Sequence, residues 1–198
     1  MEIYQLFPIA VGKFQYDDIT EKELNFVQKL DYGKNAGNQI SASKQVLESP
    51  QLKKIKKFIN TSVQEYFQKI CCPNKNLKIY THLSWTNITT KGQFHHKHAH
   101  PNSYLSGVFY FQSTENDKIH FFKNAYQQLE ISPAEFNIYN SESWWYPADT
   151  GRLLIFPSSL YHEVYIVEHD TPRISLSFNT WLQGPTGNPD LASFVHLN

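Results

Sequence analysis

Only two cysteines occur in the 198 residues, Cys71 and Cys72, and they are adjacent. The peptide between neighbouring cysteines resists the Cα geometry a disulfide needs, so they read as two reduced thiols at a helix end. The opening stretch, MEIYQLFPIAVGKF, has neither a basic start nor an unbroken apolar run, so no secretory signal is read. Without a leader or a cysteine framework, the setting expected is reducing and cytoplasmic. No apolar run approaches the roughly 18 residues of a membrane-spanning helix. Excess charge is missing too: 18 Lys+Arg balance 18 Asp+Glu. That excludes a strong electrostatic footprint for nucleic acid or an anionic membrane, and neither is expected as a partner. Arginine is scarce. Sixteen of the basic residues are lysine, and only Arg152 and Arg173 can fill a role that needs a planar, permanently charged fork.

What is present suits a single domain with a real core. Hydrophobic residues make up 40% of the chain, and the 15% aromatic content suits strands. No internal repeat or low-complexity tract occurs. Residues 1–16 alternate roughly between apolar and polar and predict a strand. Asp17, Asp18 and Thr20, followed by Glu21 and Glu23, predict a short capped helix to about Leu30. Residues 31–44, rich in Gly, Asn and Ser, predict a loop. Ser49-Pro50 predicts a helix start with serine as the cap. Leu52, Ile55, Phe58, Ile59, Val63, Tyr66, Phe67 and Ile70 then follow at three- and four-residue steps, the stripe of an amphipathic helix. Lys53, Lys54, Lys56 and Lys57 lie on its other side and read as a solvated face.

From Leu77 the texture changes to short β-branched and aromatic segments ended by Gly, Pro, Asn or Asp. Strands are expected at 77–90, 104–113, 118–123, 135–140, 143–146, 152–156, 161–167 and 173–182, with loop from Gly184. Such a series predicts a mainly β chain: an antiparallel sandwich or jelly roll. The helical support at 17–70 should pack on one sheet of a core spanning about 77–182, in one domain of 1–198.

Four of the nine histidines lie in one stretch: His95, His96, His98 and His100. On an extended backbone His98 and His100 share a face and could chelate one metal ion. His96 has the same parity, and His95 should point away. The alternative is a polar, histidine-rich turn with no ligand. A second feature runs from Gly151 through Leu153-Leu154-Ile155-Phe156-Pro157 to His162: a buried strand, a stop, and a histidine opening the next strand. His162 is either an ordinary half-buried histidine or the third imidazole of a facial site with open positions, which suits non-haem Fe(II). Third, Arg173, Ser175 and Ser177 share one face of an alternating strand. An inward arginine requires an anion, best a bidentate carboxylate, and Ser175 could supply a further donor. A rim arginine paired with Asp170 or Glu168 is the alternative.

Taken in order, His98-x-His100, His162 and Arg173-x-Ser175 resemble the 2-oxoglutarate/Fe(II)-dependent oxygenase superfamily. Trp85-Thr86-Asn87, Gly92, the segment His98 to Ser103, and Leu105-Ser106-Gly107-Val108 are similar to uncharacterised oxygenases of that superfamily from phages and bacteria. The resemblance spans about residues 83–181. It implies a double-stranded β-helix, the cupin-like jelly roll. It implies His98, His100 and His162 as catalytic iron ligands, and Arg173 with Ser175 as the clamp on the distal carboxylate of 2-oxoglutarate. Activity would be hydroxylation of a small-molecule or peptide substrate, with release of succinate and CO2. Asn87, Tyr104 and Tyr110 are expected on or near cavity-lining strands, with Asn87 counted among the co-substrate contacts. The run Trp144-Trp145-Tyr146-Pro147 is either a lid over the mouth or a strand of the sandwich. A homodimer is compatible with the sequence.

His100 departs from the superfamily, most of which has Asp or Glu there. Three neutral imidazoles leave the iron one unit more positive, and Glu163 should face away from His162. A three-histidine cupin-like enzyme without 2-oxoglutarate, a zinc hydrolase and an inactive binding module are the competing readings.

Overall fold

The computed structural model describes residues 1–74, 76–114, 116–124, 129 and 132–198. In chain order its regular elements are β1 (Gly12–Gln15), α1 (Glu21–Gln28), β2 (Tyr32–Lys34), β3 (Gln39–Ser41), α2 (Lys53–Tyr66), β4 (Lys78–Thr89), β5 (His95–His98), β6 (Leu105–Gln112), β7 (Lys118–Phe122), β8 (Ser143–Pro147), β9 (Arg152–Pro157), β10 (His162–Val164), β11 (Arg173–Thr186) and β12 (Val195–Leu197). No helix among the described residues is long and apolar enough to cross a membrane.

The strands form two sheets. The large one runs β1-β9-β6-β11-β4-β3-β2, with β12 paired to β11, and the small one runs β5-β10-β7-β8. Every ladder between named strands is antiparallel. This is the jelly roll with helices on one sheet that the sequence predicts. The uninterrupted apolar runs of β6 and β9 follow from it, because the large sheet is covered on both faces. Phe109, Phe111, Leu153, Ile155, Leu176 and Phe178 meet the buried stripe of α2, Ile55, Ile59 and Val63. Each such fully buried side chain contributes about 1.5–3 kcal/mol. The alternate residues Val108, Tyr110, Leu154 and Phe156 face Ile119 and Phe121 of the small sheet. Gly107 marks the closest approach: a Cβ there would sit 2.3 Å from the Phe178 ring and 2.9 Å from the Leu154 carbonyl.

Thr20 caps α1 through a reciprocal pair with Glu23, as expected. Ser49 makes no side-chain cap; Pro50 instead opens a single tight turn that runs into α2. Four expectations need correction. Of residues 1–16, only Gly12–Gln15 pair as a strand, because Pro8 lacks a ladder donor and Phe7 takes a left-handed backbone (φ 57°). Residues 31–44 hold the hairpin β2–β3, turned at Gly37 (φ 90°), whose backbones extend the sheet edge; Lys34 and Gln39 stay exposed while Asn38 and Ser41 are buried and hydrogen-bonded. Residues 135–140 are not a strand, since the Asn137 side chain accepts from the backbone N–H of Tyr139 and Asn140 and folds a turn. The expected loop after Gly184 carries the end of β11 and its partner β12.

Candidate metal centre

β5 and β10 lie side by side, with His162 opposite His98. The chain then leaves β5, turns through His100-Pro101-Asn102, where Asn102 is left-handed (φ 54°), and enters β6. The His100 amide donates to the Ser158 carbonyl (2.9 Å), which folds His100 back toward the same point. One ring nitrogen from each of His98, His100 and His162 therefore lies within 4.8 Å of the others. The ring centroids are 5.0 Å apart for His98–His100, 4.4 Å for His98–His162 and 5.0 Å for His100–His162.

The hydrogen bonds on the far side of the rings set the tautomers. His98 Nδ1 is 2.7 Å from the His96 carbonyl, and His162 Nδ1 is 3.0 Å from the Leu160 carbonyl. His100 Nδ1 is 2.7 Å from Asn179 Oδ1 and 2.8 Å from Ser106 Oγ. Two carbonyls and an amide oxygen only accept, so in each ring Nδ1 carries the proton and Nε2 is a bare lone pair. His98 Nε2 and His100 Nε2 are 3.1 Å apart. Two imidazoles at right angles around a metal about 2.1 Å away would place their nitrogens about 3.0 Å apart.

Burial is the largest cause that keeps these rings neutral. It pushes His100 down to about 4, helped by His98 and opposed by the Asn179 bond, and pushes His162 well below its ordinary value. His98 is lowered as well, again mainly by burial. Among the described residues, no Asp or Glu joins the three histidines. Glu163 stands opposite His120, whose ring stacks on Tyr165 outside the small sheet.

Arg173 opens β11 and is 3% exposed. It bridges the two sheets: Nη1 donates to the Lys118 carbonyl of β7 (2.9 Å) and Nη2 to the Tyr110 hydroxyl of β6 (3.2 Å). Its guanidinium carbon also lies 4.9 Å from the Tyr110 ring centroid. No carboxylate among the described residues forms an ion pair with it, and Asp170 pairs with Lys91 instead. A cavity of about 490 Å³ adjoins Arg173, walled by Asp117, Lys118, His120, Trp145 and Tyr165; none of the three histidines lines it.

Ser175 is paired in register with Asn87 on one side and Tyr110 on the other, all three buried. Asn87 Nδ2 reaches the Gln39 carbonyl (3.3 Å), while its Oδ1 is buried without a partner. Tyr110 is wholly buried against Arg173, but Tyr104 is outside the site, half-exposed and edge-on to Phe67 at the end of α2. The tryptophan run is the edge strand β8, not a lid, with Trp145 under the Lys118 ammonium (4.1 Å).

Sequence reasoning missed three residues. Asn179 and Ser106 hold His100, and a buried chain of hydroxyls continues to Ser158 and Ser103 (2.8 and 2.7 Å). Asn179 was legible as the next inward step after Arg173, Ser175 and Ser177. The third is His95, expected to point away. Val164 pairs with His95 rather than His96, so a bulge in β5 rotates His95 to the inner face and leaves His96 outside.

The comparisons agree with this fold. The family model described as "Putative 2OG-Fe(II) oxygenase" matches residues 83–179. No curated protein matches the chain. Among solved structures, HygX from Streptomyces hygroscopicus, crystallised with nickel, 2-oxoglutarate and hygromycin B, aligns with a TM-score of 0.60 at 12% identity over 96% of this chain and 92% of that one. A Pseudomonas putida prolyl-4-hydroxylase aligns at 0.53 and 10% identity, covering 86% and 92%. An oxidoreductase of the 2OG-Fe(II) oxygenase family from Burkholderia pseudomallei aligns at 0.55 and 12% identity, covering 79% and 74%. At these identities the structures speak for the fold alone.

Proposed function

Over residues 83–179 this chain is a member of the 2OG-Fe(II) oxygenase family, and from that premise we propose that it is an Fe(II)- and 2-oxoglutarate-dependent dioxygenase that hydroxylates a small-molecule or peptide substrate. The observation that carries the reading is the convergence of three bare Nε2 lone pairs, from His98, His100 and His162, with every Nδ1 proton tied off behind them. Lone pairs gathered in this way repel unless a cation lies among them, and imidazole nitrogen suits Fe(II). Arg173 supports the second component. It is a buried cation with five N–H donors, two of them in use, and no carboxylate from the described residues. A dicarboxylate supplies the missing anion.

Bound there, Fe(II) with 2-oxoglutarate supplies the oxidation: O2 converts the 2-oxo acid to succinate and CO2 and a substrate C–H to C–OH. The chain supplies position and dryness. Asn179 and Ser106 fix the His100 ring, and the Leu160 and His96 carbonyls fix His162 and His98, so that no ring rotates its lone pair away. Arg173 and Ser175 hold the far carboxylate, with Asn87 alongside. Tyr110, Phe121 and Phe156 exclude water between the sheets, which strengthens each of these interactions.

A three-histidine metalloenzyme that uses no 2-oxoglutarate is the second reading, favoured by the missing carboxylate at His100. The test is succinate formation from 2-oxoglutarate under air by protein loaded with Fe(II), with no added substrate. Slow succinate release that requires Fe(II) and disappears in His162→Ala supports the first reading. Metal uptake with neither succinate nor 2-oxoglutarate binding supports the second.

A further inference from the structure

The bulge in β5 gives the site a fourth imidazole. In an unbroken ladder Val164 would face His96; here it faces His95, and His96 and Lys97 are pushed into solvent. His95 lies on the inner face with its ring stacked on His98, centroids 4.5 Å apart and planes 23° from parallel. The other three rings each have Nδ1 tied to a protein acceptor. His95 makes no hydrogen bond to any described residue, and neither of its nitrogens is sealed from solvent. The ring is within electrostatic reach of both ends of the site. Its charge interactions run to His98 and His100 on one side and to Arg173 on the other. In any tautomer an imidazole carries an N–H that must find an acceptor.

A second use of His95 is as a metal ligand, since His95, His96 and His98 also bring ligand atoms within 4.8 Å of one another. His98 argues against it. Its Nδ1 is committed to the His96 carbonyl and its Nε2 faces His100, so it has no lone pair left for that group.

We infer that His95 is a co-substrate contact, donating its N–H to a carboxylate oxygen of the 2-oxo acid held between the three histidines and Arg173. The inference rests on the 2-oxoglutarate reading of the site. It assigns the bulge a purpose: a one-residue insertion exchanges an outward donor for an inward one without moving His98.

Two substitutions separate the donor from the ring. His95→Phe keeps the stacking on His98 and removes the N–H, whereas His95→Gln keeps a donor and removes the ring. The measurement is calorimetric titration of 2-oxoglutarate into the anaerobic, Fe(II)-loaded full chain, preceded by titration of Fe(II) alone. A hydrogen bond to a charged acceptor predicts that His95→Phe weakens 2-oxoglutarate binding by about ten- to a hundredfold. His95→Gln should stay within about threefold of wild type by the same argument, and Fe(II) affinity should be unchanged in both. Equal 2-oxoglutarate affinity in His95→Phe and wild type overturns the proposal. So does equal weakening in both variants, which makes stacking the cause, and so does lost Fe(II) affinity in both, which makes His95 a metal ligand. A wild-type chain that loads Fe(II) but takes up no 2-oxoglutarate sinks the reading of the site itself, whatever the variants do.

Discussion

His98 Nε2 and His100 Nε2 face each other across 3.1 Å, and neither carries a proton. Their protons are held behind them, by the His96 carbonyl and by Asn179. An ordinary pair of histidines at this separation would share a proton; these two are wired so that they cannot. His162 completes the set from the neighbouring strand.

Asn179 should therefore be worth far more than its own contacts. Asn179→Ala removes the acceptor that fixes the His100 tautomer and leaves Ser106 as the remaining partner. Loss of such an orienting partner lowers metal affinity by about ten- to a hundredfold. Fe(II) titration against a competing chelator reads this directly. Unaltered affinity would mean that Ser106 alone sets the ring.

The position that departs from the superfamily can be tested by restoring its usual residue. In His100→Asp, a carboxylate faces Asn179 Oδ1, which is built to accept, and loses the Nδ1–H that the network expects. The variant should bind Fe(II) about tenfold more weakly or worse, within the range seen when the partner of an orienting hydrogen bond is lost. Tighter iron binding, with faster succinate release in the absence of substrate, would show that the three-imidazole set is a weakened version of the usual one.

Arg173→Lys keeps the charge and loses the fork. The ammonium cannot reach the Tyr110 hydroxyl and the Lys118 carbonyl while also offering two parallel donors to a carboxylate. Binding of 2-oxoglutarate should weaken by roughly ten- to a hundredfold. Iron affinity without co-substrate should barely change. Equal 2-oxoglutarate affinities would place the distal carboxylate elsewhere.

Stability of the metal-free chain should depend on pH in one direction. His95 and His100 hold pKa values of about 3 and about 4 when folded, against about 6.5 in an unfolded chain. Below pH 6.5 the unfolded chain takes up protons that the folded chain refuses. Their contribution is complete above about 6.5 and is lost as pH falls from there toward 4. Denaturant midpoints in the presence of chelator should fall from pH 7 to 4.5 and be level above 7. A midpoint that is flat across this range would contradict the burial assigned to these rings.

The chain wrote its candidate site more plainly than its edges. The gathering of His98, His100 and His162 and the burial of Arg173 were legible from residue type and spacing, although His100 lies beyond β5 and comes back to the other two through the turn at Asn102. The sandwich was legible because the two sheets bury the alternate faces of β6 and β9. Parity failed at His95, since a bulge adds one residue to one strand only and leaves no mark in the pattern of apolar residues. The hairpin of 32–41 was hidden for a related reason: its strands pair through backbone groups at a sheet edge, with side chains that look like loop. At 135–140 the opposite happened, and Asn137 folded an apolar segment into a turn.

The most direct test of the central claim is an anaerobic crystal structure of the chain soaked with Fe(II) and 2-oxoglutarate, with the metal located by anomalous scattering. One peak at about 2.0–2.2 Å from Nε2 of His98, His100 and His162 is the predicted result, with the distal carboxylate on Arg173. A peak at His95 and His96, no peak at all, or 2-oxoglutarate bound away from Arg173 would contradict it.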